Sequence, residues 1–133
     1  VNRELAIVAG VVGIGAALFA APRTVEAKEG VQLAGLEIDV MEPAIRAADR
    51  AARTVGQGRA VITSALDGVH KRMSLHYAGR ALDFRRVDWP HFDDVQRAAR
   101  QAELIAAELG ERYDVILEDT HIHVEYDPPA ETA

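Results

Sequence analysis

Seventeen consecutive residues, Leu5 to Ala21 (LAIVAGVVGIGAALFAA), carry neither a charge nor a polar side chain. No other feature of the 133-residue chain restricts its folding as much. A helix that crosses a bilayer needs about 20 apolar residues, with roughly 17 as the lower limit. The apolar part of an export signal is typically about 7 to 15 residues long. Nine of the seventeen are Gly or Ala, which contribute little transfer energy, so a membrane segment here is weak. A surface helix carries a polar stripe, and no position in the run supplies one. The expectation is an apolar helix within residues 1–21 that serves as a membrane anchor or signal segment. The protein would then be membrane-anchored or exported, with its membrane contact through residues 5–21.

About 112 residues remain for a folded domain, enough for one modest core. Cysteine is absent, which excludes disulfide staples, thiolate metal sites and cysteine nucleophiles. The formal net charge of −6 argues against a general binder of phosphate backbones, and no nucleic-acid partner is expected. Aromatic residues are only 5% of the chain, so the apolar fraction rests on Ala, Val, Ile and Leu.

Residues 22–30 (PRTVEAKEG) are charged and poorly patterned, and read as a linker. Pro43 suits the first turn of a helix. Ile45, Ala48, Ala52 and Val55 then recur at helical spacing until Gly56 and Gly58 close the segment. Arg59 to Ser64 is rich in β-branched residues and predicts a strand, followed by a polar loop from Ala65 to Leu75. Arg80 to Phe84 alternates and predicts a second strand, entered through a turn at Gly79. A helix is expected from about Phe92 to Leu109, with Val95, Ala98, Ala102, Ile105 and Leu109 on its apolar face. Asp93 and Asp94 suit its start and Gly110 its end. Tyr113–Leu117 and His121–Tyr126 read as strands joined by a tight turn at Glu118-Asp119-Thr120, and residues 129–133 as a disordered tail. The order of elements predicts an α+β domain over 31–128, with a mostly antiparallel sheet and helices packed on it.

The last strand carries the chemistry. In His121-Ile122-His123-Val124-Glu125-Tyr126, side chains alternate between faces. With Ile122 and Val124 toward the core, His121, His123 and Glu125 share the polar face. A second cluster, Ser74-Leu75-His76-Tyr77-Ala78-Gly79-Arg80-Ala81-Leu82-Asp83, sets a His and an Asp seven residues apart around a glycine. A turn at Gly79 can fold His76 and Asp83 toward each other. Asp83 lies between Leu82 and Phe84, so it points to the polar side if those two point to the core. Two imidazoles and one carboxylate suit a tetrahedral zinc ion with one position open to water, the arrangement of catalytic sites.

These residues resemble a known family. SLHYAGRALD is similar to the SxHxxGxAxD motif of zinc D,D-peptidases and related peptidoglycan peptidases, and HIH with its preceding acid resembles the other half of that motif. The Hedgehog signalling domain has the same fold, and LHYAGRALD and HIH are similar to it as well. The resemblance spans roughly Val31 to Pro128. It implies a Hedgehog/D,D-peptidase-like fold that binds Zn(2+) through His76, Asp83 and His123. It also implies an acid just upstream of the last ligand as catalytic base, with Glu118 preferred and Asp119 as runner-up. His121 would stand beside the metal or the transition state. His70, Ser64, Asp67 and Arg59 are candidates for substrate contacts. The implied activity is hydrolysis of peptide bonds in peptidoglycan stem peptides, by a D,D-carboxypeptidase or an endopeptidase facing the cell wall. The Gly/Ala-rich N-terminal segment is also similar to the signal-arrest-release anchors of some phage endolysins. The alternative is a binding or signalling module of the same fold that keeps zinc without catalysis.

Overall fold

Two amphipathic repeats and a set of short alternating segments form the elements of a computed structural model, which describes residues 5–8, 11–14, 23–67 and 78–129. Strands β1 (Leu5–Val8) and β2 (Val11–Ile14) form an antiparallel pair, and β2 pairs antiparallel with β3 (Arg23–Ala27). The apolar helix expected within residues 1–21 is therefore not what the chain forms at these positions. Ile7, Val8, Val11, Val12 and Ile14 are β-branched, and glycines interrupt the run at 10, 13 and 15, so both side-chain stiffness and backbone entropy oppose a helix. Among the described residues no helix is long and apolar enough to cross a membrane.

The segment expected as a linker contains β3, which pairs parallel with β4 (Val61–Ser64). Its alternation is short but real, since Val25 and Ala27 are buried while Glu26 and Lys28 are exposed. The remaining strands are β5 (Ala81–Arg85), β6 (Tyr113–Leu117) and β7 (His121–Tyr126), and all their pairings are antiparallel. Five strands thus carry the core in the order β3-β4-β5-β7-β6, and β1 and β2 extend the sheet beyond β3. The α+β class and the mostly antiparallel sheet agree with the expectation from sequence.

Helix α1 (Ile38–Thr54) begins five residues before Pro43, one turn earlier than the proline suggested. The added turn buries Met41 and half-buries Ile38, which offsets the single hydrogen bond that Pro43 does not make. Helix α2 (Val95–Leu109) starts later than expected, where the Asp94 carboxylate accepts from the Arg97 N–H at 3.2 Å. Of its expected apolar face Ala98, Ala102 and Ile105 are buried, Leu109 is half-buried and Val95 is exposed.

Both helices pack on the face bearing Leu82, Phe84, Ile122 and Val124. Alanine supplies much of this core, with Ala44, Ala47, Ala48, Ala51 and Ala52 all buried along α1. Such small side chains let helix and sheet approach closely. The core therefore closes with few aromatic rings, and this accounts for the low aromatic content. Two buried polar side chains are tied into the core: Gln101 accepts from the Val87 N–H at 2.8 Å and donates to Gln57 and the Arg85 carbonyl. Asp49 pairs with Arg53 and accepts from the Ala60 N–H.

Candidate active site

The face of the sheet opposite the helices holds the site. Register places Asp83 directly across from His123, and Arg85 across from His121. With Leu82 and Phe84 in the core, Asp83 and Arg85 fall on the open face, as do His121, His123 and Glu125. Ser64 pairs with Asp83 on the other side, past a register shift between Ile62 and Ser64. Ile116, 45% exposed, lies across from His123 on β6.

The nearest contact in this group is His123 Nδ1 to Asp83 Oδ1, at 2.9 Å. His123 Nε2 lies 3.5 Å from Glu125 Oε1, and His121 Nε2 lies 3.7 Å from Asp83 Oδ1. Burial disfavours a charge on His123. The hydrogen bond and charge of Asp83 outweigh it, helped by Glu125 and Glu118, and the imidazole titrates above its usual range. Thr120 Oγ1 lies 3.0 Å from His121 Nδ1, which ties that ring to the β6–β7 turn.

Glu118 and Asp119 are both exposed in this turn. Alternation from Ile116 puts Glu118 on the open face, and its charge acts on His123. The turn is held from below by Arg86, which donates from Nη1 to the carbonyls of Glu118 (3.1 Å) and Asp119 (2.9 Å). The same buried guanidinium makes a two-pronged pair with Asp88, at 2.9 and 2.7 Å. Sequence reasoning missed this role of Arg86, because a turn 32 residues away must arrive before it exists.

His76 and His70, a candidate ligand and a candidate substrate residue, lie outside the described residues. The turn meant to bring His76 back is present. Gly79 has φ +74°, and a side chain there would meet the Gly35 carbonyl oxygen at 2.3 Å. Among the described residues no three His, Asp or Glu side chains close on one ion position. The described pair stands at hydrogen-bond distance, 2.9 Å, about half an ångström closer than the roughly 3.4 Å between two ligand atoms that lie about 2.1 Å from a tetrahedral zinc.

The other candidates scatter. Asp67 accepts from the N–H groups of Gln32 and Ala65, both at 2.9 Å, and from the Ser64 hydroxyl. Burial opposes its charge, but these donors hold the carboxyl below the usual range. Asp67 and Ser64 thus knit the loop after β4, and Ser64 also lines a cleft beside Asp83. Arg59 sits at the opposite end of β4, on a neighbouring cleft that shares Arg85 and Trp89 with the one beside Asp83 and also holds Arg86 and Arg97.

No protein-family model matches the chain, and no curated protein matches it.

Proposed function

We propose that the chain is a zinc-dependent peptidase acting on peptide stems of peptidoglycan, with the Hedgehog/D,D-peptidase-like fold. One observation carries the reading: the carboxylate of Asp83 and the imidazole of His123, 40 residues apart and one from each of the two motifs, meet at 2.9 Å on the open face.

Asp83 and His123 would hold the zinc together with His76. A zinc ion held there supplies a Lewis acid and brings the pKa of a water to near 7. The protein's own groups divide the remaining work. Glu118, on the open face and close enough to act electrostatically on His123, accepts the proton from the attacking water and returns it to the leaving amine. Arg86 fixes the carbonyls of the turn that carries Glu118. His121, beside Asp83, is placed to donate a hydrogen bond to an oxyanion that develops over the sheet. Such a substrate lies beyond the cytoplasmic membrane, so the reading carries export with it.

Digestion of purified muropeptides with and without chelator, followed by mass spectrometry, tests this. Loss of a terminal D-alanine or an internal cut, abolished by chelator and restored by zinc, is the expected result. Zinc binding without any product would favour the non-catalytic module instead.

A further inference from the structure

Beside the Asp83–His123 pair the open face deepens into a cleft of about 390 Å³, lined among others by Lys28, Ser64, Asp83, Arg85, Trp89 and His121. Among the described residues its cations are Lys28 and Arg85, and its only acid is Asp83, which already contacts His123. The two arginines at the end of β5 differ sharply. Arg86 is buried and fully engaged by Asp88 and the β6–β7 turn. Arg85 lies over the Trp89 ring, 4.0 Å from its centre, and its buried Nε has no hydrogen-bond partner among the described residues. An orphaned buried donor is costly and rare in a folded protein. The aromatic platform holds the guanidinium in place. Guanidinium is the side chain best shaped for a carboxylate, which it grips with two parallel bonds.

We propose that Arg85, held on Trp89 and assisted by Lys28, binds a carboxylate of the substrate next to the bond to be cut. The inference rests on the peptidase reading for its substrate class. That class offers two sources of carboxylate: the C-terminus of the stem peptide and the side chain of an acidic stem residue. In either case the cleft selects an anionic neighbour, and the amidated counterpart of the same peptide is a poor ligand.

Trp89 is the only tryptophan of the chain and lies under the group in question, so its fluorescence reports binding without turnover. The probes are N-acetyl-D-alanyl-D-alanine, its C-terminal amide, and N-acetyl-D-glutamyl-D-alanine amide, titrated into the full chain with calorimetry in parallel. At least one acid probe is expected to bind about tenfold or more tightly than the amide, and the one that does identifies the source. Arg85→Gln should bring that ratio to near one, while Arg85→Lys keeps part of it. Equal binding of all three probes, no binding of any, or a preference that survives Arg85→Gln overturns the inference. A chain that cleaves muropeptides but shows no such preference keeps the peptidase reading and loses this one. An Arg85-dependent preference without cleavage does the reverse.

Discussion

At the scale of single residues, Asp83 and His123 were legible in the sequence alone. Both fall out of period-two alternation around flanking core residues, and both lie on the open face. If they hold zinc, His123→Ala should abolish zinc binding, measured as metal content after dialysis. Glu118→Gln should retain zinc and lose turnover by about 10²-fold or more. Full activity in Glu118→Gln would move the base to Asp119. Asp67 was less legible, because a substrate contact and a loop tie use the same carboxylate. Its folded pKa lies below the ordinary carboxylate value of about 3.9. Its stabilisation is therefore fully present above that pH and lost as pH falls through the folded value. Thermal melts of the wild type and Asp67→Asn should differ near neutrality and converge in acid. Curves that stay parallel to the lowest pH would show that the carboxylate's charge contributes nothing.

At the scale of elements, the turn at Gly79 leads into β5, the strand that carries Asp83. Its carbonyl accepts from the Glu37 N–H at 2.9 Å, and its α-carbon faces the Gly35 carbonyl too closely for any side chain. Gly79→Ala combines a left-handed backbone with that clash. It should cost about 2–5 kcal/mol in urea-induced unfolding. A loss within experimental error would mean that the turn relaxes. The strands of the second half, β5, β6 and β7, emerge where alternation placed them, give or take a residue. Alternation failed at β3, where two buried residues in a charged stretch make too short a pattern. Pro43 misled for a different reason: proline is tolerated one turn further in when the extra turn buries a methionine.

At the scale of the whole molecule, a small alanine-rich core supports one face of the sheet and leaves Asp83, His121 and His123 on the other. A ligand that binds only the folded state stabilises it by mass action. Zinc at a hundred times its dissociation constant should therefore add about 2.7 kcal/mol. That corresponds to a rise in melting temperature on the order of 10 °C. Chelator should reverse the rise and His123→Ala should abolish it. An unchanged melting temperature with zinc present would count against a preformed site.

Much of this protein was determined by local sequence. Alternation along β5 and β7 assigned faces to Asp83 and His123, and the glycine between His76 and Asp83 marked a turn, because both follow from backbone geometry within a few residues. The strands at Leu5–Val8 and Val11–Ile14 were decided otherwise. An uncharged run has no polar stripe to reveal its period, so its conformation depends on the β3 edge beside it. The 2.9 Å meeting of Asp83 with His123, the hold of Arg86 on the turn of Glu118, and the stacking of Arg85 on Trp89 also belong to the tertiary structure. Each of these depends on strand register or on the approach of another loop, and neither is encoded in the spacing of neighbouring residues.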